Sequence, residues 1–144
     1  MQTQNFKNHS QLVPLFHFVT LPAILALIIG SFFNLSDAVG KGEGVYSASL
    51  ICLVAIILLF LSFLARMFGL KAQDRAIRAE ENFRHFLATG KPMDSRLRLS
   101  QVIALRFASD AEFIALSKKA ADENLSPKDI KQAIKDWRGD YHRV

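Results

Sequence analysis

Apolar positions fall first into two long runs and then into three short periodic stripes. The second run sets the frame. Ser47 to Ala65 is nineteen residues without a charge, closed by Arg66. At ~1.5 Å of rise per residue this helix is roughly 28 Å long, about one hydrocarbon core. The helical pattern continues through the charged stretch Lys71–Leu87, which lacks Gly and Pro, and Thr89-Gly90-Lys91-Pro92 is a stop signature. One long helix over Ser47–Thr89 is expected. The first run, Leu15–Leu35, carries Pro14 at a position suited to a first helical turn. It also carries Pro22, which predicts a kink.

The expected fold is all-α. A transmembrane helical hairpin has spans at about 15–35 and 47–69 joined by a loop at 36–46, and the second span continues as a long cytoplasmic helix. An N-terminal segment, 1–14, lies at the membrane interface or tucks against the rest of the protein. Three short C-terminal helices complete a cytoplasmic domain over 71–144. Asp94 or Ser95 suits the first cap, and Leu99, Val102, Ile103 and Phe107 share its face. Ser109-Asp110-Ala111-Glu112 reads as a capping box for the second. Ser126-Pro127-Lys128-Asp129 opens the third, whose stripe is Ile130, Ala133, Ile134, Trp137 and Tyr141. These stripes are expected to bury one another and the Phe83/Phe86 end of the long helix.

Small residues mark a packing seam. Ala48, Cys52, Ala55, Ser62 and Gly69 lie in a series that runs on through Ala72, Ala76 and Ala79 to Phe83 in steps of four and three. Ala26 and Gly30 form a small-xxx-small pair on the first span. In lipid, helices associate by close backbone approach at such residues. The seam serves packing within the hairpin, a homo-oligomer, or both.

Charge then orients the hairpin. Residues 1–65 carry two basic and two acidic groups, so all of the net +5 lies in 66–144. Arg66, Lys71, Arg75 and Arg78 follow the second span, whereas the Gly-rich loop around Lys41 has one base and two acids. The positive-inside rule puts both termini in the cytoplasm of a multi-pass protein of the inner (plasma) membrane. The same four basic residues are candidate contacts for anionic lipid head groups. Ser36-Asp37-Ala38 could pass for a cleavage triplet. The long, weakly basic region before it and the proline in its apolar stretch favour retention as an anchor.

Candidate chemistry is sparse. The single cysteine, Cys52, excludes an intrachain disulfide framework. His9 and His17 are separated by Pro14, with no nearby acid or cysteine to complete a metal set. Gly40-Lys41-Gly42-Glu43-Gly44 lacks the Ser/Thr and the preceding strand of a phosphate loop. Neighbours Glu80 and Glu81 point in different directions on a helix, and the expected acid-first pairs Asp74–Arg78, Glu80–Arg84 and Glu81–His85 describe a solvated face. No catalytic residue, metal set or cofactor loop is proposed. The mixed charge of residues 91–144, eleven basic and eight acidic groups, argues against a phosphate-binding surface and so against nucleic acid.

Three blocks carry a resemblance: Gln4-Asn5-Phe6-Lys7-Asn8-His9-Ser10, Gln73-Asp74-Arg75-Ala76-Ile77-Arg78-Ala79-Glu80-Glu81-Asn82, and Ile103-Ala104-Leu105-Arg106-Phe107-Ala108-Ser109-Asp110. Together they resemble a family of small bacterial two-span membrane proteins without an established function. The resemblance implies a bacterial membrane location and brings no functional residues. The expected role is a structural or interaction protein, self-associating or accessory to a membrane complex, with lipid around it. The alternatives are an oligomeric pore or transport accessory and, behind it, a membrane-bound enzyme. Neither span core contains a charge to mark an ion path.

Overall fold

The computed structural model describes residues 4–9 and 12–140. Among these residues the chain is helical: a π-helical turn over Leu15–Thr20, then α1 (Leu21–Lys41), α2 (Val45–Thr89), α3 (Leu99–Leu105), α4 (Asp110–Asp122) and α5 (Pro127–Ala133). The chain divides into two compact units. One is Leu12–Gly69; the other joins Met1–Gln11 to Leu70–Val144. Two helical stretches, Leu15–Lys41 and Val45–Thr89, are long and apolar enough to cross a membrane.

In the first unit, α1 and the start of α2 form a helical hairpin. Pro22 leaves its mark just upstream of itself. A proline cannot donate to the carbonyl four residues back, and the preceding six residues wind as a π-helix, with the Leu21 N–H bonded to the Phe16 carbonyl. The hairpin turn is shorter than the loop expected at 36–46. Helix α1 runs on to Lys41, where Lys41 Nζ pairs with Asp37 at 2.6 Å, one turn away. Gly42 then adopts a left-handed conformation, φ 70°, and its N–H bonds back into the helix. Polar residues at 36, 37 and 41 do not end the helix.

In the second unit, Phe107, Phe113, Leu105, Ile130 and Gln101 are fully buried. They sit where α3, α4 and α5 meet. Gln101 is a polar member with its partners supplied. It accepts from the Arg98 N–H at 2.7 Å and donates to the Leu125 carbonyl at 2.8 Å. Ser126 caps α5 as its sequence predicts, accepting from the Asp129 N–H at 3.2 Å.

Two other caps depart from expectation. Asp94 organises a turn ahead of α3, which begins only at Leu99. At α4, Ser109 is the N-cap residue without a side-chain cap bond. Its N–H goes to the Asp136 carbonyl at 3.1 Å, and Glu112 accepts from the N–H groups of Lys135 and Asp136. The same competition ends α5 at Ala133. Ile134 is extended, Trp137 bridges to Ala108 in antiparallel fashion, and Arg138 N–H donates to the Phe107 carbonyl at 2.8 Å. The stripe from Ile130 is therefore not one helix. Ile130 and Ile134 are buried, Trp137 is half-buried, Ala133 is exposed, and Tyr141 lies outside the described residues.

The cover expected over the Phe83/Phe86 end of α2 is missing. Phe83, Phe86 and Leu87 are 62 %, 51 % and 70 % exposed. Ile77 and Glu81 are buried instead, and Arg84 is half-buried. The helix turns a partly charged face inward because Arg84 and Glu81 find fixed partners there.

Candidate functional site

The charged groups of the second unit converge on the inward face of α2. Arg84 is the hub, its side chain only 13 % exposed. It donates to Glu81 at 3.0 Å, to Asp110 at 2.7 Å and to the Ala108 carbonyl at 2.8 Å. Its guanidinium also lies over the Phe113 ring, 4.2 Å from the centroid. The expected pair Glu80–Arg84 is thus replaced by Glu81–Arg84, three residues apart. Arg138 Nη1 lies 4.0 Å from the other oxygen of Glu81.

A second centre lies nearby. Arg106, buried, pairs with Asp140 at 3.1 Å and stacks over Phe107. Gln4 clasps the backbone of Asp140 from both sides: its Nε2 donates to the carbonyl at 3.1 Å and its Oε1 accepts from the N–H at 2.8 Å. His9 packs its ring against Phe107 and Trp137. Lys131 Nζ, which can only donate, lies 3.1 Å from His9 Nε2, so the ring proton sits on Nδ1 and donates to the Phe6 carbonyl at 2.8 Å. The N-terminal residues are therefore part of this unit's closure. Gln4→Ala removes both bonds to Asp140. The expected loss is about 1–3 kcal/mol of stability, read as a lower thermal midpoint of the Trp137 fluorescence transition, with no loss if the segment is idle.

Two clefts open beside these charges. One, about 620 Å³, is lined by Glu80, Glu81, Phe83, Arg84, Leu87, Ala88, Asp110, Phe113 and Arg138. The other, about 400 Å³, is lined by residues including Gln73, Arg106, Arg138 and Asp140. Arg84 and Arg106 are each held by the protein's own carboxylates, and Glu81 is held by Arg84. The arrangement is suited to holding helices together. Among the described residues, no group of three or more His, Cys, Asp and Glu could hold a metal ion.

The whole chain, residues 1–144, matches a family described as a family of unknown function (DUF6526). The chain belongs to that family. No curated protein and no solved structure matches it. The geometry shows what the three sequence blocks do in this member of DUF6526. Gln4 and His9 come from the first, Glu81 from the second, and Arg106, Phe107, Ala108 and Asp110 from the third. All belong to the second unit, where hydrogen bonds, ion pairs and ring contacts link them to one another, to Arg84 or to its C-terminal residues.

The seam residues separate into two groups. Ala48, Cys52 and Ala55 are buried within the hairpin, and Ser62 is half-buried. Ala26, Gly30 and Gly69 are exposed. The inward face of α1 is instead Ile24, Ile28, Ser31, Leu35 and Ala38, again in steps of four and three. Of the basic residues, Arg66 is half-buried over the Phe16 ring, and Lys71, Arg75 and Arg78 are exposed. His17 is engaged within its own turn, by Val13.

On the surface, Arg96 bridges Asp94 at 2.6 Å and Asp122 at 2.8 Å. Its hydrogen bonds to the Asp94 side chain lower that carboxyl from 3.8 to about 2, and Arg96 is raised in turn. A carboxyl with a depressed folded value adds stability above its unfolded value and loses it as pH falls through the folded one. Asp94→Asn is therefore expected to be less stable than the parent above about pH 4, the deficit vanishing towards pH 2. Thermal midpoints measured across that window check it. A deficit that persists at pH 2 would contradict the pair's role.

Proposed function

We propose that this protein is an integral membrane anchor that holds a small helical unit at the cytoplasmic face of a bacterial inner membrane. Both termini lie on that side. It acts by assembly, with itself or with another membrane complex. The carrying observation is the exposure of the hairpin. Only 11 % and 17 % of the most apolar windows of its two long helices is buried. The core helix of a water-soluble protein would be mostly buried, whereas these faces need an apolar solvent. Phe18, Val19, Leu25, Phe32, Phe33, Leu53, Val54, Phe60, Leu61 and Phe63 are all more than half exposed.

The basic residues after the second span support the orientation, by the positive-inside rule. Lys71 and Arg78 suit anionic head groups at that surface. Glu81, Arg84 and Arg106 are engaged in closing the second unit's own structure, which favours a docking role over chemistry. The native mass of the protein extracted gently with its lipids tests this reading. A closed homo-oligomer or a stoichiometric second chain is expected. A lone monomer that stays monomeric across concentrations would overturn it.

A further inference from the structure

We propose that the uncovered face of α2 between Ala72 and Phe86 receives a second copy of this chain, parallel and in register about a two-fold axis. The inference rests on the assembly reading above and names its partner and geometry. Ala72, Ala76, Ala79, Phe83 and Phe86 follow in steps of four, three, four and three, the spacing of a two-helix seam. All five are exposed. The helix's other side is already occupied, with Ile77 and Glu81 buried. Two phenylalanines on one exposed face of a helix that lies outside the charge-free run require a cover.

The charges identify the cover as a second copy. Arg75 and Glu80 flank the seam on opposite sides and are exposed. They are five residues apart. In a parallel pair, a flanking residue on one helix meets the residue five further on in its neighbour. Arg75 of each copy therefore meets Glu80 of the other, twice by symmetry. An antiparallel pairing sets like flanks against each other, arginine to arginine and glutamate to glutamate. Parallel packing is also the arrangement open to copies anchored in one bilayer with one orientation. Arg75, a lipid-contact candidate on sequence grounds, is assigned to the second copy's carboxylate instead. The alanines let the backbones approach closely while Phe83 and Phe86 supply the apolar area.

The experiment uses full-length protein in native membranes, with Cys52→Ser as background. Single cysteines are placed at the seam, Ala76→Cys or Ala79→Cys, and beside it, Arg78→Cys. Mild oxidation is expected to give a disulfide-linked dimer from either seam variant and little from Arg78→Cys. Adding Arg75→Glu to Ala79→Cys should cut the linked fraction several-fold, and adding Glu80→Arg as well should restore it. That rescue separates pairing from misfolding, since a misfolded variant gains nothing from the second change. A native dimer without seam cross-links overturns this inference and leaves the assembly reading standing. Monomer with no cross-links overturns both. Stronger linkage at residue 78, or linkage of the seam to a different protein, overturns the second copy as the occupant.

Discussion

Phe107→Ala is expected to destabilise the second unit by about 3–5 kcal/mol, the usual cost of emptying a large aromatic site in a core. Phe107 is 1 % exposed. Its ring is touched from four directions: by Trp137 at 5.2 Å, His9 at 5.7 Å, the Arg106 guanidinium at 4.6 Å and Lys131 Nζ at 5.8 Å. These neighbours come from the N-terminal segment, the α3 end, α5 and the extended segment after it. Truncation therefore removes one contact surface that all of these elements share. Trp137 is the chain's single tryptophan, so urea unfolding followed by its fluorescence reads the effect directly. Trp137→Ala, at a half-buried position, should cost less than Phe107→Ala. A loss of under about 1 kcal/mol for Phe107→Ala would mean that the ring does not anchor the core.

Arg84→Met should cost about 3–5 kcal/mol, because it leaves Glu81, 5 % exposed, with only the more distant Arg138 guanidinium, 4.0 Å away, to offset its buried charge. It also strips a hydrogen bond from the Ala108 carbonyl. The sign of the coupling is the informative part. Replacing both partners, as Glu81→Leu with Arg84→Met, should recover most of the loss, since an apolar pair of similar size is often neutral relative to a buried ion pair. A double-mutant cycle on unfolding free energy checks this. If the double variant is as unstable as the sum of the two single variants, Arg84 and Glu81 do not act as a pair. Arg84 would then be held by Asp110, the Ala108 carbonyl and the ring of Phe113.

The elements were legible where local rules decide them. The charge-free run and the Gly-Pro stop bounded the long helix, and the structure ends it at Thr89 with Gly90 at φ 69°. Ser126 and Pro127 marked the start of α5 for the same reason. What local rules missed was settled by distant partners. The stripe from Ile130 to Tyr141 has helical spacing, yet the backbone after Ala133 bonds to Phe107, Ser109 and Glu112, more than twenty residues earlier. The Ser109 capping box failed through the same bonds.

The inward face of α2 departs from the apolar-in rule, with Glu81 buried and Phe83 and Phe86 exposed. Glu81 and Arg84 carry no sequence sign of burial. The carbonyl of Ala108, the carboxylate of Asp110, the ring of Phe113 and the guanidinium of Arg138, brought close by folding, make it favourable. The clasp of Gln4 on Asp140 spans 136 residues, and no spacing rule reaches that far. Gln4, Glu81 and Arg106 each lie in one of the three blocks that carry the family resemblance. In the hairpin, Ala26 and Gly30 have the spacing of a docking face, but the inner side of α1 is built on Ser31 and Ala38. Their spacing from Ile24, Ile28 and Leu35 keeps one face inward.

The hairpin is expected to cross a bilayer with the folded unit on the cytoplasmic side. The most direct test is labelling of single cysteines by a membrane-impermeant thiol reagent in sealed cells, in the Cys52→Ser background. Glu43→Cys, in the turn between α1 and α2, should label from outside. Lys128→Cys, exposed on α5, should label only after the membrane is opened. Labelling of Lys128→Cys in sealed cells, or of neither site until lysis, would contradict the account.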